Sequence, residues 1–334
     1  MKNTHTLPIT FSWRTDTGKV RENNEDSFLA LRQAGKNPLN IRSVLIVADG
    51  MGGHVGGDRA SSSVVRFVDE IFKPKSVSKL DKFIGKEDKA IVSIIKAADK
   101  RVRDLSGGDT HKAPGTTFTG AFIIDNKALI GHVGDSRAYH IRNDEIVQVT
   151  EDHSYVASLV RDGKLTPEEA KDFPHKNVIL KSLGSGESLK VDPPRKINLL
   201  DGDILLLCSD GLWDLVSDTE ILSIIHKSKS IKIASDRLIK LANHRGGHDN
   251  ITVVMAEFGQ LKRNPKLFSD LKELPRIQPL SNKNFRNLLK GILVLLSILL
   301  VFIIWQIVKD YRGIEKNVMP RAGQSTSKPL GDIP

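Results

Sequence analysis

Apolar positions along residues 1 to 258 recur with two different periods. Short runs rich in Val, Ile, Leu and Phe predict strands over Ser27 to Leu31, Ser43 to Ala48, Phe118 to Ile124 and Ala128 to Val133, then Arg137 to Ile141, Ile146 to Val149, Asp203 to Ser209 and Ile251 to Phe258. Val64, Val65, Val68, Ile71 and Phe72 instead share one face of a helix over Ala60 to Phe72. Ile91, Ile94, Ile95, Ala98, Val102 and Leu105 do the same over Asp88 to Leu105. Ser217-Asp218-Thr219-Glu220 has the form of a capping box, and Thr166-Pro167-Glu168-Glu169 places a proline at a first helical position. Strands follow one another as hairpins and helices come in pairs. This order predicts an α+β fold of antiparallel sheets covered by helices, not a doubly wound parallel sheet.

Past residue 258 the pattern changes. From Gly259 to Lys290 there is no helical or alternating period, three prolines (Pro265, Pro275, Pro279), and eight basic residues against Asp270 and Glu273. This reads as a basic linker. It is followed by Gly291 to Val308, GILVLLSILLVFIIWQIV, which carries no charge. As a helix this stretch is ~27 Å long, close to the ~30 Å apolar thickness of a bilayer. The expected organisation is therefore a domain over 1–258, a juxtamembrane linker over 259–290, one transmembrane helix over 291–308 and a short tail over 309–334. Five basic residues lie within about 20 positions on each side of the span, so charge alone sets no orientation. The first residues, MKNTHTLPITFSWRTDTG, contain no signal-peptide pattern, so the domain is expected on the cytoplasmic side of the plasma (inner) membrane.

The net charge of +10 changes this picture little. Much of the basic excess lies in the linker and only 5% of residues are aromatic, so nucleic acid is not an expected partner. The single cysteine, Cys208, excludes a disulfide framework and a cysteine-based zinc cluster.

Candidate chemistry lies where strands end. The strand Val44 to Ala48 runs into Asp49-Gly50, Ala128 to Val133 into Gly134-Asp135, and Ile204 to Ser209 into Asp210-Gly211, while Asp249-Asn250 precedes Ile251 and Glu25-Asp26 precedes Ser27. One Asp beside a Gly is an ordinary turn. Five acidic strand ends brought together would repel one another unless a cation compensates, and an all-oxygen donor set selects a hard divalent ion such as Mg²⁺ or Mn²⁺. Other phosphate chemistries fail on the residues. There is no Gly-x4-Gly-Lys-Ser/Thr loop, Asp214 occupies the position six after Cys208 where a cysteine-dependent phosphatase has Arg, and no His-Glu-x-x-His pair occurs.

Arg21-Glu22-Asn23-Asn24-Glu25-Asp26-Ser27, Asp49-Gly50-Met51-Gly52-Gly53-His54, Gly115-Thr116-Thr117, Val133-Gly134-Asp135-Ser136-Arg137, Ser209-Asp210-Gly211-Leu212-Trp213-Asp214 and Asp249-Asn250-Ile251-Thr252 follow one another in this order. This series resembles that of the metal-dependent Ser/Thr protein phosphatases, the type 2C or PPM family, in its bacterial form. The resemblance implies a four-layer α-β-β-α sandwich binding two to three Mn²⁺ or Mg²⁺ ions. Asp49 would bridge two metals, with Asp210 and Asp249 on one and Glu25 and the Gly50 carbonyl on the other. Asp26 would act through metal-bound water, Asp135 would hold a third ion together with Asp210, and Arg21 would bind the substrate phosphate. A metal-bridging water would then hydrolyse phosphoserine and phosphothreonine in proteins, opposing a cognate bacterial-type Ser/Thr kinase at the membrane. The alternative is a phosphatase-like domain that binds phosphoprotein or a regulator without turnover. Met51 stands where the animal branch carries a His thought to protonate the leaving group, so no general acid is assigned. Asp152 to Leu189 corresponds to the family's flap over the cleft.

Overall fold

The computed structural model describes residues 6–33, 37–51, 56–73, 76–105, 114–171, 173–174, 177–185, 189–264 and 266. Two five-stranded antiparallel sheets form the centre. The first has the order β1-β12-β11-β8-β9, from β1 (Ile9–Asp16), β12 (Ile251–Phe258), β11 (Ile204–Cys208), β8 (Arg137–Arg142) and β9 (Glu145–Gln148). The second has the order β10-β7-β6-β3-β2, from β10 (Arg195–Asn198), β7 (Lys127–Val133), β6 (Phe118–Ile124), β3 (Ile41–Ala48) and β2 (Ser27–Arg32). A two-stranded pair, β4 (Gly50–Met51) with β5 (Gly115–Thr116), continues beyond the end of β3.

The central strands are apolar on both faces because both faces are covered. Between the sheets, Leu45 and Val47 of β3 and Ala121 and Ile123 of β6 meet Leu205 and Leu207 of β11 and Val254 and Ala256 of β12. On the outer face of the second sheet, Val44, Ile46, Phe118, Phe122 and Leu129 pack under α1 (Gly57–Ile71) and α2 (Glu87–Asp104) through Ala60, Val64, Val68, Ile91, Ile95 and Val102. The first sheet is covered by α7 (Ile231–His244), which packs on β1 and β12, and by α6 (Asp218–Lys227), which packs on α7. Ser12 Oγ and Ser235 Oγ, 2.9 Å apart, join β1 to α7. The layers run α-β-β-α. Burial of each apolar side chain between them contributes roughly 1.5–3 kcal/mol.

The capping box at Ser217 is present at the start of α6, and Thr166 precedes α4 (Pro167–Lys171). Strand predictions at β6 and β12 agree end to end with the structure. The periodicity had given no strand at β1 or β10, and no helix at α3 (Tyr155–Arg161), α5 (Asp210–Trp213) or α7. Both β1 and β10 are edge strands, and β10 (RKIN) forms because β7 presents a free edge, with Arg195 opposite Ile130 and Asn198 opposite Lys127.

The folded domain continues past residue 258. Leu261 is buried, Arg263 Nη2 donates to Glu257 Oε1 at 2.8 Å, and the Asn264 amide donates to His226 Nδ1 at 3.1 Å. Among the described residues no helix is long and apolar enough to cross a membrane. The span expected at Gly291 to Val308 lies outside the described residues, as does His54.

Candidate metal centre

Asp49 sits at the end of β3 and its backbone is held from both sides. Its amide donates to Thr117 Oγ1 at 2.9 Å, and its carbonyl accepts from the Thr117 amide at 2.9 Å and from Thr116 Oγ1 at 2.8 Å. The Gly-Thr-Thr motif is thus a clamp that aims the Asp49 side chain. Thr117 Oγ1 lies 2.7 Å from Ser136 Oγ, which ties the same clamp to the Gly134-Asp135-Ser136 turn after β7.

A second set of bonds suspends the Glu25 loop. The Glu25 amide donates to Asn250 Oδ1 at 2.7 Å, while Asn250 Nδ2 donates to the carbonyls of Thr17 and Asn23 at 3.0 and 2.9 Å. The Glu25 carbonyl accepts from Ser61 Oγ at 2.6 Å and from the Gly50 amide at 3.2 Å. Glycine is required where these segments meet. A Cβ on Gly50 would overlap the Gly57 carbonyl, and one on Gly57 would fall 2.9 Å from Glu25 Oε1. The bare backbone lets β4, the Glu25 loop and the start of α1 close together.

Asp210 begins α5, directly after β11. Ser209 Oγ donates to Asp26 Oδ2 at 2.7 Å and accepts from the Thr252 amide at 2.9 Å, so Asp26 is held from β11 and β12 at once. Trp213 Nε1 donates to the Asp135 carbonyl at 3.0 Å, and the Arg137 guanidinium lies 3.7 Å from the Trp213 ring. Arg137 also grips both Asp152 carboxylate oxygens. Arg21 reaches over the cluster from the Glu25 loop, its Nη2 2.6 Å from Asp249 Oδ2, with half of its side chain exposed.

Glu25, Asp26, Asp49, Asp135, Asp210 and Asp249 lie close enough to act on one another electrostatically, and Arg21 senses Asp249, Asp210 and Glu25. Burial among protein atoms pushes Asp49 well above the ordinary carboxylate range, reinforced by Asp26, Asp210, Asp135 and Asp249. Burial does the same to Asp210, reinforced by Asp135, Asp249 and Asp26. Asp26 is pushed up to about 6, mainly by burial, against the lowering effect of its hydrogen bonds to Thr252 and Ser209. Asp135 rises to about 7, through burial first and Asp152 second. Arg21 is raised from its ordinary value, chiefly by its hydrogen bond to Asp249.

Whether these residues fit divalent cations is answered by their unfilled valences. Asp26 Oδ1, Asp135 Oδ1 and Asp210 Oδ1 are buried atoms with no hydrogen-bond partner among the described residues. An unsatisfied buried oxygen costs roughly 1–3 kcal/mol, more if charged. Three orphaned oxygens on mutually repelling carboxylates make an oxygen-only set suited to Mg²⁺ or Mn²⁺. Among the described residues no three acidic or imidazole groups are already closed into a metal-binding cluster. The fit therefore rests on donor chemistry and on mutual repulsion, not on a preformed ligand shell.

Sequence reading placed the acidic residues but assigned no role to Thr117, Ser209, Asn250 or Trp213. These supply the frame. All four lie inside the recognised motifs, so their position was the available signal.

Comparison with known proteins gives a consistent answer. A family profile described as Protein phosphatase 2C matches residues 19–240. The chain is 36% identical to the serine/threonine phosphatase stp of Listeria welshimeri over 249 residues, 73% of this chain and 94% of that protein. It is 34% identical to protein phosphatase PhpP of Streptococcus pneumoniae over 247 residues, 74% of this chain and 96% of the other. Among solved structures it resembles the S. agalactiae serine/threonine phosphatase (TM-score 0.66, 34% identity, 75% of this chain and all of that one). It also resembles the catalytic domain of PstP in complex with two manganese ions (TM-score 0.61, 33% identity, 76% of this chain and all of that one).

Proposed function

We propose a site assignment and a cellular setting for this chain, which belongs to the protein phosphatase 2C family and is a serine/threonine protein phosphatase. Asp49, Asp210, Asp249, Glu25 and the Gly50 carbonyl would hold two divalent ions, and Asp135 with Asp210 would hold a third. When bound, such ions lower the pKa of water for attack on phosphorus and neutralise charge on the phosphoryl oxygens. The observation that carries this reading is the set of orphaned carboxylate oxygens at one end of the sandwich.

The chain's own residues do the rest. Arg21 binds the phosphate of phosphoserine or phosphothreonine by charge-assisted hydrogen bonds from the rim of the cleft. Asp26, fixed through Ser209, keeps one carboxylate oxygen without a protein partner among the described residues and would act through water bound to the ions. The Thr116–Thr117 clamp and Asn250 keep Asp49 and Glu25 in register before any ion arrives, which removes the reorganisation that catalysis would otherwise require. Met51, in β4, offers no proton to a leaving alkoxide.

The setting follows from the segments after the domain. The basic linker and the apolar stretch Gly291 to Val308 tether the enzyme to the plasma membrane with its catalytic domain in the cytoplasm, where it opposes a Ser/Thr kinase. The juxtamembrane basic residues each contribute on the order of 1 kcal/mol toward an anionic leaflet. The deciding experiment is hydrolysis of an aryl phosphate by the full chain with and without Mn²⁺: strict dependence on the ion supports the assignment, and activity surviving exhaustive EDTA treatment removes it.

A further inference from the structure

The end of the sandwich opposite the metal centre is also polar. A β-bulge between Ile41 and Ser43 shifts the register of β3 against β6. Past the bulge, Ser43 shares a strand face with Leu45 and Val47, which belong to the inter-sheet core, and Arg32 is its register partner on β2. The apolar layer between the sheets therefore ends in a hydroxyl and a guanidinium. There it opens into a cleft of about 770 Å³ lined by Arg32, Gln33, Asn40, Arg42, Ser43 and Asp125, with the backbone of Pro8 and Ile9 on its rim.

Three features of this cleft point to an anion. Ser43 is 1% exposed, yet its Oγ has no hydrogen-bond partner among the described residues. Neither arginine makes an ion pair among the described residues. Arg32 Nη2 donates to the Ile9 carbonyl, and Arg42 donates to the Asp125 carbonyl at 2.9 Å and the Leu7 carbonyl at 2.8 Å. Those carbonyls orient both guanidinium groups without neutralising them, and each guanidinium has five N–H donors. The two cations also sense each other: burial lowers the Arg42 pKa, Asp125 opposes this, and Arg32 adds to it.

We propose that this cleft is a binding site for a phosphate-bearing organic anion, with Arg32 and Arg42 as the cationic pair and Ser43 donating its hydroxyl. A cleft of this size accommodates a phosphorylated headgroup or a sugar phosphate. Its position favours the headgroup. The Gly259 amide donates to the Pro8 carbonyl at 2.8 Å, so β12 ends at the rim of this cleft, and the chain stays packed through Leu261, Arg263 and Asn264. As a coil, the residues between there and Gly291 would span roughly 30 Å. The anion site rests on the cleft alone; only its assignment to a lipid rests on the tether proposed above.

The test is calorimetric titration of the full chain in detergent, with EDTA present so that the opposite pole carries no cation. The probes are glycerol 3-phosphate, a monoester, and dibutyroyl phosphatidylglycerol, a short-chain diester. Binding is expected at millimolar Kd or tighter, weakened about tenfold by Arg42→Ala and by Arg32→Ala and about threefold by Ser43→Ala, and unaffected by Arg21→Ala. Retained Mn²⁺-dependent hydrolysis shows that each arginine variant is folded. Because Ser43→Ala removes only an unpartnered hydroxyl, it reads out binding even if an arginine variant fails to fold. Binding of both probes assigns the site to a lipid headgroup, and binding of the monoester alone assigns it to a soluble phosphorylated molecule. Either upholds the anion site. No binding of either probe, or a loss caused by Arg21→Ala in place of Arg42→Ala, overturns it. Membrane extraction tests the tether separately, so the two readings fail independently.

Discussion

Arg21 Nη2 lies 2.6 Å from Asp249 Oδ2, so the guanidinium assigned to substrate phosphate is paired with a carboxylate assigned to a metal. The two roles are linked, because a cation that takes over Asp249 weakens its hold on Arg21 and frees donors for phosphate. Arg21→Ala is expected to raise KM for a phosphopeptide about tenfold while lowering kcat less, since the contact is mainly ground-state binding. Steady-state kinetics at saturating Mn²⁺ decide the matter; an unchanged KM excludes the role.

Asp210→Asn and Asp249→Asn each remove a negative charge from a crowded cleft. Activity should fall by about a hundredfold or more, because each substitution would take away a charged ligand of the proposed ions. Circular dichroism should be unchanged. For Asp210→Asn, whose Oδ1 is unpartnered, the melting temperature in EDTA should hold or rise by a few degrees, roughly 2–4 °C per kcal/mol of relieved repulsion. Loss of secondary structure in these variants would show that the carboxylates support the fold.

The pH dependence of stability should differ between metal-free and metal-bound protein. Asp26 at about 6 and Asp135 at about 7 keep protons in the folded state that unfolded carboxyls, near 4, have released. Raised folded values mean that this contribution is fully present below about pH 4 and is lost as pH rises through 6 and 7. The melting temperature in EDTA should therefore decline from pH 5 to 8. With Mn²⁺ the decline should vanish, because cations replace the protons. A metal-free melting temperature that climbs over this range contradicts the assignment.

Full-length protein should pellet with membranes and resist both high salt and alkaline carbonate. A surface-bound amphipathic helix would be stripped by carbonate and loosened by salt. Truncation after Lys272, beyond the packed residues Leu261, Arg263 and Asn264, should release soluble active enzyme. Protease added to spheroplasts should remove only residues beyond Lys309; digestion of the Asp49 to Asp249 domain would reverse the orientation.

Much of the architecture was legible because apolar period and burial coincide. In β6 and β12 nearly every residue is buried, and continuous apolar runs marked both to their ends. In β1, ITFSWRTD, only Ile9 and Ser12 are buried while Trp13 is open to solvent, so burial does not follow the apolar pattern and its signal is thin. The helix α7 could have been read from Ser230 as N-cap followed by Ile231, Ala234, Leu238 and Ala242 at helical spacing. The acidic site residues were visible because each stands where an apolar run stops. The bonds that aim them were not. Ser209 to Asp26 spans 183 positions and Asn250 to Glu25 spans 225, and such closures exist only once the sheets have paired.

The course of β12 carries a mechanical consequence. Asp249 immediately precedes the strand, and past Phe258 the chain stays packed through Leu261, Arg263 and Asn264. A pull that broke those contacts and reached Phe258 along the strand axis would load β12 lengthwise. On one side β12 is laddered antiparallel to β1 from Asp16–Ile251 to Ile9–Phe258, and on the other to β11 from Cys208–Val253 to Ile204–Glu257. A load in that direction shears both ladders at once and cannot peel them one bond at a time. Tension from the proposed anchor would thus be absorbed by β12 and its two ladders before it displaced Asp249, leaving the carboxylate cluster indifferent to the drag of membrane flow.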